Sequence, residues 1–298
     1  MTLDDKEWVP LLSAAPIVCA MRSIYLGLMA VVLVAAACSS SDDESAPSAA
    51  NTTVPVTTQQ TSTTAAPTTT DATSTTSTAP VTTTTKPHDE INEVAVGIET
   101  ADGLLLEGVL FGDGATGVVL AHMRPADMES WFEFARLLAG EGYVALAFNF
   151  RGYGASEGTG FDVATDIEAA FDLMMEHTSA ESVFVIGASM GGTGAVAASA
   201  TRDVAGTITL SAPVAFEGAD AVAAAPQLTE PVLLVVAEND QPYADHAGLI
   251  SAAATGTTTE VVPLEGSQHG TDLFKDHDER LTELILTFIE ENQQTDNG

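Results

Sequence analysis

The sequence predicts an α/β protein. Its centre is a doubly wound, mostly parallel sheet of about eight strands with helices on both faces. An antiparallel hairpin opens it, and no large lid interrupts it. Three observations predict this. Short apolar runs alternate with amphipathic helical patterns through the second two-thirds of the chain. The run Val183 to Ile186 stops at Gly187-Ala188-Ser189-Met190-Gly191, which reads as strand, sharp turn and helix. Three chemically useful side chains, Ser189, Asp240 and His269, each follow a separate apolar run.

The chain has 298 residues, 45% of them apolar, enough for a substantial core. With 9 Lys+Arg against 42 Asp+Glu its formal net charge is −33. A surface that acidic repels phosphate backbones, so nucleic acid is not an expected partner. Both cysteines, Cys19 and Cys38, precede the folded part, which therefore has no disulfide, thiolate nucleophile or cysteine metal ligand.

Residues 1–37 read as a leader. Asp4, Asp5 and Glu7 make the first twenty residues a poor signal, whereas Met21-Arg22 looks like a fresh start. A basic residue, an apolar run from Ile24 to Ala37, then Cys38 and polar residues follow. Ala35-Ala36-Ala37-Cys38 resembles the lipobox of bacterial lipoproteins, with Ala35 where leucine is usual. That resemblance implies cleavage before Cys38, lipid on its sulfur and an extracytoplasmic, membrane-anchored protein. An ordinary secretory signal is the alternative. Residues 38–87 are Thr, Ser, Pro and Ala with hardly a large apolar side chain. Such a segment cannot bury enough surface to offset its chain entropy, and it reads as a disordered tether.

Residues 88–298 form the expected folded domain. Glu93 to Glu99 alternates, Asp102-Gly103 turns, and Leu104 to Phe111 returns, giving the hairpin. Gly117 to His122 is a buried strand. Ser130 begins a helix bearing Trp131, Phe134, Ala135 and Leu138 on one face, closed by Gly140 and Gly142. Tyr143 to Phe148 is a strand. A glycine-rich loop, Asn149 to Ser156, follows, and Asp162 caps the next helix. Beyond Ser189 the pattern predicts strands at Gly206 to Leu210, Pro231 to Ala237 and Thr258 to Leu264. Helices are predicted at Ala215 to Ala225, Tyr243 to Ala254 and around Leu281 to Ile289. No internal repeat and no second domain appear.

The chemistry follows from residue types. A serine hydroxyl is a weak nucleophile and needs a base in contact. Histidine suits that task near neutral pH. A carboxylate fixes the imidazole tautomer and stabilises the imidazolium that forms. Ser189, His269 and Asp240 are the candidates for these roles. Glu238 and Asp245 are rival acids, and His246 and His277 are rival histidines. His122, at a strand end, is expected to shape its loop. An oxyanion would need two N–H donors: Met190, directly after the serine, and Met123 or Arg124, since Pro125 has none. Met123, Phe150 and Tyr153 are candidate pocket-lining residues. Arg124 and Arg151 stand out in a chain so poor in cations, and Arg151 is expected to pair with an acid.

These motifs resemble the α/β-hydrolase superfamily, in particular its dienelactone-hydrolase-like and small esterase members, over residues 93–293. His122-Met123-Arg124 lies where that superfamily has its oxyanion loop, and the resemblance places the second donor at Arg124. Arg151-Gly152-Tyr153-Gly154-Ala155-Ser156 resembles its Arg-Gly-x-Gly-x-Ser loop. Met123 replaces a usual glycine, and Ser189 stands where dienelactone hydrolases have cysteine. The resemblance implies a serine hydrolase acting on a small-molecule acyl substrate, with no metal or organic cofactor. The alternatives are a peptidase or amidase on the same sheet, or a non-catalytic cell-surface binding domain.

Overall fold

A computed structural model describes residues 91–293, and these belong to one unit. The leader, Cys38 and the proposed tether lie outside the described residues. β1 (Glu93–Glu99) and β2 (Leu105–Phe111) form the antiparallel hairpin. Thr100 closes its turn, with Thr100 N–H donating to Leu104 O and Gly103 N–H to Thr100 O. β2 pairs antiparallel with β4 (Val144–Phe148), and β4 pairs parallel with β3 (Thr116–Ala121). From β3 the sheet continues in parallel through β5 (Ser182–Ala188), β6 (Gly206–Leu210), β9 (Val232–Ala237) and β10 (Thr259–Leu264). The eight strands lie in the order β1-β2-β4-β3-β5-β6-β9-β10. The fold is therefore the mostly parallel α/β sheet that the sequence predicts.

Strand side chains alternate between two buried layers. Val118 and Leu120 of β3, and Phe184 and Ile186 of β5, join the layer covered by α1 (Phe132–Gly140) and α6 (Leu273–Asn292). Val119, Val183 and Val185 point the other way, against α2 (Val163–His177) and α3 (Met190–Ser199). Continuous apolar runs are needed because helices cover both faces. Each large side chain so buried contributes about 1.5–3 kcal/mol. α2 starts where Asp162 accepts the Thr165 N–H, as the capping signal implies. Further along, α5 (Tyr243–Ala253) covers β9 with Ala247 and Ile250.

The segment between β6 and β9 departs from expectation. Residues 215–225 are not one helix. They contain a two-residue hairpin, β7 (Ala215–Phe216) with β8 (Ala219–Asp220), then a single turn, α4 (Ala221–Ala224). Glu217 and Gly218 both take positive φ at the hairpin tip, which breaks a helix that alanine content alone would favour. No lid domain is inserted there.

Candidate active site

The carboxyl ends of β3, β5, β9 and β10 place the residues of interest. β5 runs into Ser189, and α3 leaves at once. This elbow is tight enough to exclude side chains. A Cβ on Gly187 would collide with the Gly191 carbonyl, and one on Gly191 with the Ala121 carbonyl of β3. Ser189 itself sits at φ 49°, ψ −116°, a conformation that costs a non-glycine residue about 1–3 kcal/mol. It is held by Ser189 N–H donating to Leu210 O, while Gly192 and Thr193 donate to Ser189 O.

Three side chains separated by 80 and 29 positions meet there. Ser189 Oγ lies 2.7 Å from His269 Nε2, and His269 Nδ1 lies 2.8 Å from Asp240 Oδ2. The carboxylate can only accept, so Nδ1 carries the proton. Nε2 then presents a lone pair to the serine O–H. Asp240 is buried in the turn after β9, with its N–H bonded to Ala237 O and its carbonyl accepting from Ala244. The His269 side chain keeps 28% of its surface open, so substrate and water can approach. Tyr243 lies against the imidazole, ring centroids 4.2 Å apart, and limits its rotation. The arrangement can move a proton from hydroxyl to imidazole while the carboxylate balances the charge.

The rivals are placed elsewhere. Glu238 and Asp245 are both exposed, and the carboxylate that meets the His269 imidazole is that of Asp240. The Val214 N–H points at His246 Nδ1 at 3.4 Å, and His277 Nε2 lies 2.6 Å from Glu265 O. His122 is fully buried beside the site. Phe150 N–H donates to its Nε2, so Nδ1 is the protonated nitrogen and donates to Met123 O at 2.9 Å. Burial pushes its pKa down from 6.5 to about 4, against the raising effects of that carbonyl and of Asp127. A neutral ring thus fixes the Met123 carbonyl. Because the Met123–Arg124 peptide is trans, the Arg124 N–H faces the opposite way. Among the described residues the N–H groups of Met123, Arg124 and Met190 meet no acceptor. Met190 opens α3, where such donors are free by geometry.

Met123 is half-buried, and its Sδ lies close to Gly270, where a Cβ would come within 2.6 Å. Phe150 does not line a pocket. It has no exposed surface and packs on His122 and Phe148, at ring distances of 4.9 and 5.0 Å. Its neighbour Tyr153 does border a cavity of about 350 Å³, with Arg124, Gly152, Thr159 and Phe161. A larger open depression of about 740 Å³ is lined by residues 275–280 and Glu283, and neither space is lined by any of the three meeting side chains. Arg151 is engaged by acids: its Nε and Nη2 reach Asp166 at 2.9 and 2.7 Å, and Nη1 reaches Asp102 at 2.9 Å. These acids lie 15 and 49 positions away, and no local pattern in the sequence points to them. Tyr243 carries no sequence signal either, since nothing in its helix marks contact with a histidine 26 positions on.

The fold and this edge of the sheet define a class. Residues 117–229 match the family of the alpha/beta hydrolase fold. Solved structures agree. An esterase from Pyrococcus furiosus is 17% identical with a TM-score of 0.62, over 69% of this chain and 95% of that one. Dienelactone hydrolase from Anabaena variabilis is 20% identical, TM-score 0.58, over 69% and 100%. An esterase from Exiguobacterium antarcticum is 18% identical, TM-score 0.54, over 66% and 100%. No curated protein matches the chain by sequence. The protein has the α/β-hydrolase fold.

Proposed function

We propose that the protein is a serine hydrolase that cleaves an ester or related acyl compound, with Ser189 as nucleophile, His269 as base and Asp240 as its orienting acid. The observation that carries this reading is the unbroken contact from Ser189 Oγ through His269 to Asp240. In the first step Ser189 Oγ attacks the acyl carbon and its proton passes to His269 Nε2. The oxyanion is met by the N–H groups of Met190 and Arg124. His269 returns the proton to the leaving alkoxide, which departs as an alcohol. Water, losing a proton to His269, then splits the acyl-enzyme, releasing an acid and restoring Ser189. The cycle uses only protein groups and water.

Only about twenty residues separate β6 from β9, so the site is open and suits a small acyl group. The esterase and dienelactone hydrolase names among its structural neighbours fit this reading. The resemblance around Cys38 supports an extracytoplasmic, lipid-anchored protein, with residues 38–87 as tether. Cys38→Ser should then move the protein from the membrane to the soluble fraction. Treatment with a fluorophosphonate tests the hydrolase reading. The wild type should be labelled on Ser189 and Ser189→Ala should not, and kcat for a nitrophenyl ester should fall by about a thousandfold or more in that variant. Equal labelling of both proteins would reject it. Faster turnover of a peptide anilide than of the ester would move the assignment to a peptidase.

A further inference from the structure

Among the described residues the few cations are almost all spent on acids. Arg136 pairs with Glu93 at 2.6 Å, Arg151 with Asp166 at 2.7 Å, and Arg202 with Asp172 at 2.8 Å. Lys275 pairs with Asp272 at 2.7 Å and Arg280 with Glu283 at 3.0 Å. Among the described residues Arg124 alone of the lysines and arginines has no carboxylate partner. Supply is not the reason, since acids outnumber bases 42 to 9. The guanidinium lies instead over the Phe161 ring, 5.7 Å from its centroid, at the wall of the 350 Å³ cavity.

The position of Arg124 matters as much as its freedom. It follows His122-Met123 directly, on the loop whose Met123 sulfur abuts Gly270, the neighbour of His269. Its other neighbours in the cavity are aromatic, glycine or threonine: Gly152, Tyr153, Thr159 and Phe161. None is an acid. Arg151, the other cation in the cavity wall, has its donors committed to Asp166 and Asp102. A guanidinium on an aromatic face keeps its in-plane N–H fork open, and that fork matches a carboxylate.

We propose that Arg124 binds a carboxylate carried by the substrate, so that the preferred substrate is an anionic half-ester of a short dicarboxylic acid. This rests on the serine-hydrolase reading above. The backbone N–H of Arg124 meets the scissile carbonyl oxygen in that reading. Its own side chain then spans from the reacting carbon to the substrate's charged end, which sets the acid as short. In a molecule whose net charge repels anions, one unpaired arginine on the loop that follows β3 gives an anionic substrate a reason to stay.

The test compares mono-4-nitrophenyl glutarate with its methyl ester, which has the same leaving group and chain but no charge. The purified full-length protein should show kcat/KM at least tenfold higher for the acid. Arg124→Gln should bring that ratio near one, and Arg124→Lys should retain part of it. The ratio cancels any disturbance of the backbone donor, because both esters need it equally. A wild-type ratio of one or less, or a ratio unchanged in Arg124→Gln, overturns the proposal and leaves the hydrolase reading standing. If neither ester is turned over, the hydrolase reading fails, and calorimetric titration with glutarate decides the subsite. Binding to the wild type that Arg124→Gln abolishes supports it, and no binding to the wild type overturns it.

Discussion

Ser189 occupies a backbone conformation that glycine would take without strain. Two substitutions separate that strain from the hydroxyl's chemistry. Ser189→Ala removes the oxygen and keeps the strain, whereas Ser189→Gly removes both. Glycine also loses more chain entropy on folding, so the net difference is smaller than the strain itself. Ser189→Gly should be the more stable of the two by about 1 kcal/mol in denaturant unfolding. Equal stabilities would mean the elbow holds no strain at this residue. His122 makes a second prediction at the same scale. Its folded pKa of about 4 lies below the ordinary 6.5, because burial disfavours the charged ring. Unfolded chains therefore take up a proton between those values that the folded protein refuses. The stability this residue contributes is full above pH 6.5 and is lost as pH falls towards 4, a loss of about 3 kcal/mol. Unfolding followed from pH 7 to 4.5 should show a shallower decline in His122→Gln than in the wild type. Parallel declines would show that His122 gains its proton freely.

At the scale of elements, the fold depends on close approaches that only glycine permits. Gly187→Ala or Gly191→Ala would drive a Cβ into a backbone carbonyl, and neither β5 nor α3 can yield without moving the other. Each substitution should cost about 3 kcal/mol or more, or prevent folding. The loop after β4 depends on Arg151 instead. Burial works against its charge, but the hydrogen bonds it donates to Asp166 and Asp102 outweigh that and raise its pKa. Asp166→Leu alone should cost about 3 kcal/mol by leaving the buried guanidinium with Asp102 as its one carboxylate partner, while Arg151→Met with Asp166→Leu should recover much of it. Equal losses in the single and double variants would show that the pair matters only as shape. What the sequence makes legible has a physical cause here. Both-sided burial requires continuous apolar runs, so β3, β5, β6 and β9 stand out within a residue or two of their ends. Gly-x-Ser-x-Gly is legible because the elbow's sterics permit little else. Local patterns say nothing about contacts between distant side chains. Asp102 and Asp166 on Arg151, Tyr243 on His269 and the burial of Phe150 emerge only once the sheet sets those neighbours side by side. Residues 215–225 mislead for a related reason: alanine favours a helix everywhere, and one Glu217-Gly218 turn redirects the chain.

Across the whole molecule, charge is an influence on stability that added salt can reach. The net charge is −33, and among the described residues acids far outnumber bases, so most neighbouring charges on their surface are alike. Compact packing brings those carboxylates closer than they are in the unfolded chain, so repulsion opposes folding. Salt acts on this in two directions. It weakens exposed pairs such as Arg280–Glu283 and Lys275–Asp272, each worth about 0–1 kcal/mol at most. It also shortens the reach of every repulsive pair, from about 10 Å at 0.1 M to about 3 Å at 1 M. With 42 acids and 9 bases the repulsive pairs far outnumber the attractive ones, so screening should stabilise the fold. Raising sodium chloride from about 0.02 M to 1 M, a Debye length shortened from well over 10 Å to about 3 Å, should therefore raise Tm, by roughly 2–4 °C for each kcal/mol recovered. Chloride is a suitable probe because sulfate would also strengthen apolar burial and confuse the two effects. A Tm that falls with sodium chloride would mean that the few ion pairs, the buried Arg151 cluster among them, outweigh the self-repulsion of the surface.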